Sequence, residues 1–396
     1  MMELPDKNTQ LFINLHSEDN IKDVALKAGK IKDIDVEYAI RQISGRQKVK
    51  TKIPEFYSNE NLIYPPGLSL EQSSSSQTAK YKSGLFKGKH LIDLTGGFGV
   101  DFAFMSASFE KSTYIEKNPI LCEIANHNFQ HIAINKFHVY NADCKYINKD
   151  LSTADLIYID PHRRDNLGKK KVFIAECEPN VIEMMDELFR ISPKILIKLS
   201  PMLDITQAIL DLKYVVEVHV IAVENECKEI LFILSKDVPE DIRIRTINFK
   251  KDNIQHFDFN YKSEENLQIE YSDDVLPYIY EPNAAIMKSG AFKSVAKQFS
   301  LKKFHPNSHI YTSSERIINF PGRVFQLKRE LNELKINIKQ LKKEIPKANI
   351  SLRNYKMTVE SFRKKSAIED GGNVYIFGFQ AINNKFKLIE TEQIFF

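Results

Sequence analysis

A glycine-rich turn beside a carboxylate is the first segment whose residue types could do chemistry. Asp93 is followed by three of the chain's 14 glycines: Gly96, Gly97 and Gly99. Glycine lets the backbone turn at positive φ and lets a ligand approach closely, and the helix that follows offers free N–H groups. A dinucleotide-binding fingerprint would need another glycine where Phe102 stands, and Asp93 would repel a pyrophosphate. The turn therefore favours a ligand that carries positive charge.

Two more carboxylates stand at the ends of the next two apolar segments. Glu116 ends the second segment, where a carboxylate can accept both hydroxyls of a ribose, and Asp143 follows the third. Open α/β sheets bind ligands at the carboxyl ends of their strands, so these acids and Asp93 should lie at one edge. S-adenosylmethionine fits them, because it carries an ammonium and a sulfonium and no phosphate. The predicted cofactor site comprises Asp93, Gly96, Gly97, Phe98, Gly99, Glu116, Asp143 and Cys144.

A fourth apolar segment ends in Asp160-Pro161-His162-Arg163-Arg164. A carboxylate followed by proline presents an acceptor oxygen and a fixed backbone carbonyl, which suit the orientation of an N–H nucleophile. The two arginines could grip a phosphate beside the acceptor. We predict Asp160, Pro161 and Arg163 as catalytic residues. The alternative is that Asp160 only caps the next segment and the arginines are solvated.

The composition excludes several classes of protein. With 396 residues, 43% of them hydrophobic and 27% charged, the chain has material for two or three domains and is not disordered, collagen-like or disulfide-stapled. Its four cysteines contain no Cys-x-x-Cys pair, so we expect no metal and a reducing cytoplasm. We expect no secretory signal, and none of the segments approaches the roughly 18 uncharged apolar residues of a membrane helix.

The charge is distributed unevenly along the chain. Residues 288–396 contain 21 Lys and Arg against 9 Asp and Glu, a net charge of +12, whereas residues 1–287 contain 35 against 43, a net charge of −8. A basic C-terminal region in an otherwise acidic chain is typical of contact with a polyanion. The alternative is that the Lys, Ile, Asn and Phe richness reflects an AT-rich genome.

Short apolar strands alternate with helical segments from Lys89 onward, which predicts a parallel sheet covered on both faces. The segments 214–223 and 229–235 are separated by too few residues for a crossover helix, so they must form a hairpin with one antiparallel strand. We therefore predict an α/β fold with a seven-stranded Rossmann-like sheet that ends in a hairpin, unlike the parallel sheet of a nicotinamide-binding domain.

Helices are predicted before this sheet, and an α+β region after it. Residues 1 to about 60 have helical periodicity, and the Ser73–Ser76 run is either a flexible linker or an ordered loop over a neighbouring site. Apolar residues at 4-3-4-3-4 spacing predict a helix over 325–345. Segments 349–353 and 373–379 are predicted strands.

The order Asp93-x-x-Gly-Gly-x-Gly, Glu116, Asp143 and Asp160-Pro161 resembles class I S-adenosylmethionine-dependent methyltransferases. More narrowly, the chain resembles bacterial members with a C-terminal THUMP-like domain. That resemblance includes Asp-Pro-x-Arg-Arg and the segments that begin at Glu71, Glu281, His305, Phe320 and Leu352. It implies a helical cap (1–80), a methyltransferase domain (81–237), a ferredoxin-like connecting domain (238–318) and a THUMP-like domain (319–396).

THUMP domains bind structured RNA, and the C-terminal region of this chain is basic. We therefore predict methylation of a base nitrogen in structured RNA, either tRNA or rRNA. The predicted RNA contacts are Arg164, Arg353, Arg363, Lys364 and Lys365, with Gly371 and Gly372 allowing close approach. One departure is that His162 and Arg163 stand where such enzymes have Pro and a stacking aromatic. A protein or small-molecule methyltransferase and a non-catalytic RNA-binding module stay as alternatives.

Overall fold

The computed structural model describes residues 5–28, 31, 33–132, 134, 136–146, 152–163, 173–331 and 338–395. These residues form two compact units. The first unit comprises residues 1–216 and 231–238, and the second comprises residues 217–230 and 239–396. In the described part of the chain, no helix combines the length and the apolar character needed to cross a membrane.

The first unit begins with the predicted helical region. Its helices are Lys7–Leu15 (α1), Ile21–Ala28 (α2), Val36–Lys52 (α3), Pro54–Tyr57 (α4), Gly67–Gln72 (α5) and Ser76–Ser83 (α6). Carboxylates cap two of them, because Asp6 accepts hydrogen bonds from the first turn of α1 and Asp35 does so for α3. Phe12, Val24 and Ile43 are buried together where α1, α2 and α3 pack.

Strands and helices then alternate as the sequence predicts. They are β1 (Gly88–Asp93), α7 (Val100–Ser106), β2 (Phe109–Glu116), α8 (Pro119–His131), β3 (Lys136–Asn141), β4 (Leu156–Ile159), β5 (His162–Arg163), β6 (Cys177–Glu178), α9 (Val181–Ile191), β7 (Ile195–Leu199) and α10 (Ile205–Leu212). All residues of β4 and β7 are buried, which accounts for their apolar sequences apart from Lys198 in β7. Neighbouring strands in the order β7-β4-β1-β2-β3 pair in parallel, so their carboxyl ends lie at one edge.

The predicted hairpin follows this alternation. β8 (Val215–Val223) and β9 (Glu226–Leu234) are joined only by Glu224 and Asn225. Both linking residues have positive φ, 48° and 63°, as a tight type I′ hairpin turn requires. Both strands have residues in the first unit. There they continue the sheet beyond β7, in the order β8-β9-β7. The hairpin thus lies at one end of this unit's sheet, with the antiparallel strand β9 between β8 and β7.

The second unit is an α+β structure. Its elements are β10 (Arg243–Phe249), β11 (Ile254–Asn260), α11 (Tyr261–Asn266), β12 (Tyr278–Pro282), α12 (Ala284–Ser289), α13 (Phe292–Gln298), β13 (Lys302–Lys303), β14 (Tyr311–Ser313), β15 (Gly322–Glu330), α14 (Ile338–Glu344), β16 (Asn349–Arg353), α15 (Val359–Ser366), β17 (Val374–Gln380) and β18 (Phe386–Ile394). β10 pairs in parallel with the second-unit residues of β8 and antiparallel with β11. The other strands form a sheet in the order β13-β14-β12-β15-β18-β17-β16.

The predicted helix over 325–345 is wrong in its first part. Residues up to Glu330 belong to β15, and within the described residues the helix α14 begins only at Ile338. β15 pairs antiparallel with β12 on one side and β18 on the other, and Val324 and Phe325 are buried. Pairing on two sides outweighs a helical spacing of apolar residues, because local periodicity does not include partners distant in the chain. The predicted strands at 349–353 and 373–379 are confirmed by β16 and β17.

Candidate active site

A cavity of about 260 Å³ lies at the carboxyl ends of β1, β2 and β4 in the first unit. Its wall contains four of the predicted site residues: Glu116, Asp143, Cys144 and Asp160. The wall is completed by Gln72, Leu94, Thr95, Lys117, Ala142, His162, Glu178 and Pro179. The sheet topology therefore brings together predicted acids that are up to 44 positions apart in the chain (Glu116 to Asp160), as sheets of this class do at their ligand-binding edge.

The glycine turn is packed against the protein's own aromatic rings. A Cβ atom at Gly96 would lie 2.1 Å from the Tyr114 ring, and one at Gly99, where φ is +82°, would lie 2.6 Å from the Phe129 ring. The Tyr114 hydroxyl donates a hydrogen bond to the Gly97 carbonyl oxygen at 2.6 Å. These glycines therefore let the turn pack on the rings. Of the described residues, Leu94 and Thr95 form the adjoining cavity wall rather than Gly96, Gly97, Phe98 or Gly99.

Phe98 lies at the tip of this turn and is buried. Its ring contacts the rings of Phe56 and Tyr64, with centroids 5.6 and 6.3 Å apart. Both partners belong to the N-terminal helical region. Phe98 thus fixes the glycine turn to that region, and we place it in packing rather than in ligand contact.

The Glu116 carboxylate is held in place by two backbone N–H groups. Oε2 accepts a hydrogen bond from Gly97 N at 2.9 Å, and Oε1 accepts one from Asn118 N at 2.8 Å. Asp143 Oδ1 similarly accepts a hydrogen bond from Lys145 N at 2.9 Å. Burial raises the pKa of the neighbouring Cys144 thiol to about 11, so the thiol is neutral at pH 7. The cavity wall therefore presents two preoriented carboxylates beside an uncharged sulfur.

Asp93 is buried behind this wall, with 1% of its surface exposed. Its Oδ1 accepts a hydrogen bond from Thr95 N at 2.9 Å, and Thr95 is on the wall. Burial raises the pKa of Asp93 well above its usual range despite that hydrogen bond, and the nearby carboxylates of Asp101, Asp160 and Glu116 raise it further. This concentration of acids makes the edge of the sheet favourable for a cation.

Asp160 combines a fixed backbone with a paired side chain. Its backbone N–H donates to Thr95 Oγ1 at 2.6 Å, and its Oδ2 lies 2.5 Å from the ammonium of Lys198. Pro161 is buried and His162 is on the cavity wall. The backbone of Arg163 is paired with Cys177 in the β5–β6 ladder. Arg164 and the side chain of Arg163 lie outside the described part of the structure.

A buried network of charges, which the sequence analysis did not predict, lies behind Asp160. Asp101 accepts hydrogen bonds from the hydroxyls of Tyr158 (2.7 Å) and Ser74 (2.8 Å). The ammoniums of Lys82 and Lys198 lie 3.1 and 3.4 Å from its carboxylate oxygens. Burial opposes ionisation of Asp101, but the two ammoniums and these hydrogen bonds outweigh it and hold its pKa well below the usual range. Asp101 is therefore ionised at pH 7.

The network also resolves the two interpretations of the serine run. Ser74 is buried and contacts Asp101, Lys82 and Lys198, and Ser75 caps α6. The segment is thus an ordered loop rather than a flexible linker. A signal for the network was present in the sequence, since Lys198 interrupts an otherwise apolar strand and Lys82 follows the serine run, but neither signal identifies a partner.

Comparison with known proteins gives the family. Two family models match the chain, a ferredoxin-like domain over residues 278–321 and a THUMP domain-like domain over residues 322–390. A crystal structure from Porphyromonas gingivalis W83, described as a "putative methyltransferase", matches 100% of both chains with 33% sequence identity and a TM-score of 0.88. The chain belongs to the family of class I methyltransferases with a C-terminal THUMP-like domain. The predicted family, the α/β fold with its THUMP-like region and the assignment as an enzyme are thereby confirmed.

Other solved structures match part of this methyltransferase. The TrmK protein of M. capricolum, in complex with S-adenosylhomocysteine, has 10% identity and a TM-score of 0.32 over 41% of this chain and 69% of that chain. The tRNA m1G37 methyltransferase of M. jannaschii has 13% identity and a TM-score of 0.29 over 41% of this chain and 48% of that chain. No curated protein matches the chain.

Four of the five predicted RNA-binding residues of the methyltransferase lie in its second unit and differ in their partners, whereas Arg164 lies outside the described residues. Arg353 lies 3.0 Å from the buried carboxylate of Glu281, and Arg363 pairs with Asp370. Lys364 and Lys365 are exposed on α15. Gly371 and Gly372 both have positive φ, as a tight turn requires. Among the described residues, no group of three or more His, Cys, Asp or Glu side chains could hold a metal ion.

We expect the variant Asp101→Asn to unfold much more easily than the wild-type methyltransferase. It leaves the ammoniums of Lys82 and Lys198 close together without the carboxylate between them, and breaking a buried ion pair costs about 3–5 kcal/mol. Urea denaturation measures the loss. The control is Glu71→Gln, which removes an exposed pair with Lys48 and should cost less than about 1 kcal/mol. Equal losses in the two variants would contradict the prediction.

The pairing of Asp101 with Lys82 and Lys198 also determines how the stability of the protein changes with pH. Because the pKa of Asp101 is lowered on folding, its stabilisation is complete above about pH 4 and is lost as the pH falls through the lowered pKa. Urea midpoints of the wild-type protein should therefore fall in strong acid more steeply than those of Asp101→Asn.

Proposed function

We propose that this methyltransferase uses S-adenosylmethionine to methylate a nitrogen atom of a base in structured RNA. The observation that carries the proposal is the placement of Glu116, Asp143 and Asp160 on the wall of one cavity at the carboxyl edge of the sheet. Acids at the ends of adjacent strands suit a cofactor with a ribose, an adenine and positive charges, and they do not suit a phosphate.

The residues on the cavity wall fit this cofactor by their donor and acceptor types. Glu116 would accept hydrogen bonds from the ribose hydroxyls, since each oxygen that is already fixed by a backbone N–H keeps further acceptor capacity. Asp143 would accept from the adenine amino group. Asp93 supports the wall through its hydrogen bond with Thr95 N. When bound, the cofactor supplies an electrophilic methyl group on a sulfonium.

Asp160 would orient the acceptor in this mechanism. Its Oδ2 is engaged by Lys198, and Oδ1 would accept an N–H of the amine, so that the nitrogen lone pair points toward the cofactor side of the cavity. Pro161 restricts the backbone next to it. Methyl transfer requires positioning above all, and correct positioning accounts for a large share of rate acceleration. His162, two residues after Asp160, is also on the cavity wall and would contact the base.

RNA as the substrate class is supported by the second unit. Residues 288–396 carry a net charge of +12, and the THUMP domain-like match covers 322–390. Phosphate groups need accessible cations. Lys364 and Lys365 are exposed, whereas Arg353 and Arg363 are paired with carboxylates, so we assign the first contacts to the two lysines.

Binding of S-adenosylhomocysteine tests the cofactor site. Calorimetric titration should show binding to the wild-type protein and a loss of roughly 10- to 100-fold in affinity for Glu116→Gln, because hydrogen bonds to a charged group contribute about 1.5–3 kcal/mol. The matched control is Glu110→Gln, an exposed glutamate at the other end of β2. Unchanged affinity in Glu116→Gln, or no binding to folded wild-type protein, would contradict the proposal.

RNA binding and methylation test the substrate class. The double variant Lys364→Glu with Lys365→Glu should bind total tRNA and rRNA more weakly and with a shallower salt dependence, because fewer counterions are released. Filter binding over a range of salt concentrations measures both. The control is the double variant Lys7→Glu with Lys22→Glu, which makes the same charge change at two other exposed lysines.

Transfer of a labelled methyl group identifies the acceptor class directly. RNA from a strain that lacks the gene should accept label from S-adenosylmethionine when the wild-type protein is added. Label that appears in protein or in small molecules, and not in RNA, would favour the alternative substrates.

A further inference from the structure

Lys198 is a lysine inside a buried strand, between two carboxylates. All residues of β7 are buried, and only 10% of the Lys198 side chain is exposed. Its ammonium lies 2.5 Å from Asp160 Oδ2, 3.4 Å from Asp101 Oδ2 and 3.3 Å from Ser74 Oγ. Asp160 is on the cavity wall, and Asp101 lies behind it. Lys198 therefore connects the wall to the interior.

Pairing with the buried Asp101 accounts for only part of the role of Lys198, because Lys82 already lies closer to that carboxylate, at 3.1 Å against 3.4 Å. Moving an ammonium out of water costs several kcal/mol, and replacing a buried ion pair with apolar groups of similar volume is often neutral or stabilising. The neighbouring residues of β7, Ile197 and Leu199, are apolar. A methionine at position 198 would continue the apolar strand, but it would remove the ammonium that lies beside both Asp101 and Asp160. Pairing with Asp101 does not explain the closer contact of Lys198, which is the one with Asp160 at 2.5 Å.

Asp101 fixes Lys198 from the interior side. Tyr158 and Ser74 donate hydrogen bonds to the Asp101 carboxylate, and Lys82, whose side chain has no exposed surface, pairs with the other carboxylate oxygen. These partners come from β4, the serine loop and α6, so Asp101 cannot turn without disturbing elements that are themselves packed. Asp101 thus holds the Lys198 ammonium from the interior side. The ammonium in turn holds the Asp160 carboxylate on the cavity side.

Asp160 needs such a constraint, because its side chain is 36% exposed. A free aspartate carboxylate at a cavity wall can adopt several rotamers. The contact with Lys198 selects one of them. A displacement of about 1 Å from a productive geometry can reduce a rate about 10²-fold.

We propose that Lys198 is a positioning residue, which fixes the Asp160 carboxylate for the acceptor nitrogen and is itself held by Asp101. This inference rests on the proposed function, in which Asp160 orients the acceptor. It predicts that Lys198 affects the rate of methyl transfer and not the binding of the cofactor, since the cofactor contacts assigned above are on Glu116 and Asp143.

Three variants test the inference in the full chain. Lys198→Met keeps the length of the side chain and removes the charge, and we expect kcat to fall about 10- to 100-fold with unchanged affinity for S-adenosylhomocysteine. Lys198→Arg restores a cation and should recover part of kcat. Lys303→Met is the matched control, because Lys303 is a buried lysine in the second unit. It should leave kcat unchanged.

The assay uses labelled S-adenosylmethionine and total RNA from a strain that lacks the gene. A proportional loss of kcat and cofactor affinity in Lys198→Met, or no recovery in Lys198→Arg, would overturn the positioning role and indicate a general structural defect. Unchanged kcat in Lys198→Met would overturn it as well.

A structural measurement separates this inference from the proposed function. If the wild-type protein methylates no RNA, the proposed substrate class fails, but crystal structures of the wild type and Lys198→Met still test Lys198. We expect the Asp160 carboxylate to leave its wild-type rotamer in Lys198→Met and to keep it in Lys303→Met. An unmoved Asp160 in Lys198→Met would overturn the inference whatever the activity.

Discussion

Buried charge is the constraint on which the first unit depends. Asp101 is ionised in the interior, and an unpaired buried charge is too costly for a folded protein to keep. Lys82 and Lys198 must therefore lie beside it, and both hydroxyl donors must reach it. This requirement ties the serine loop, α6, α7, β4 and β7 into one arrangement. Its outer end is Asp160, so the groups that satisfy a buried carboxylate also determine the geometry of the cavity wall.

The cavity wall shows how packing and chemistry share residues. The glycine turn is shaped by the rings of Tyr114 and Phe129, yet Gly97 N also fixes Glu116. The glycine turn thus affects the ligand site indirectly, by packing on these rings and by donating a hydrogen bond to Glu116. Thr95 has a similar double role, since its N–H holds Asp93 and its hydroxyl accepts from Asp160 N. Backbone N–H groups thus position the carboxylates of Glu116 and Asp93, whereas side chains hold Asp160.

The second unit contains its own buried carboxylate. Glu281 pairs with Arg323 and Arg353, which come from β15 and β16, and Ser351 Oγ lies 3.4 Å from it. Three segments that supported the family resemblance, at Glu281, Phe320–Arg323 and Leu352–Tyr355, therefore meet at one ion-pair cluster. Their resemblance to the family reflects the assembly of this unit as well as any contact with a partner. The exposed lysines of α15 are separate from that cluster and are available to bind phosphate.

The sequence by itself determined the alternating strands and helices, the hairpin and the acids at the strand ends, because these depend on local periodicity and on where strands stop. Only the tertiary structure decided which groups meet. Glu116, Asp143, Cys144 and Asp160 could be predicted for one edge, and the end of the strand that carries Lys198 for the same cleft. The place of Gln72 on the wall and the pairing of Lys198 with Asp101 and Asp160 could not be predicted, since the partners are distant in the chain. The strand β15 was missed for the same reason, because its two partners lie far away in sequence. Local patterns specify elements, but pairing energies between distant segments specify the site.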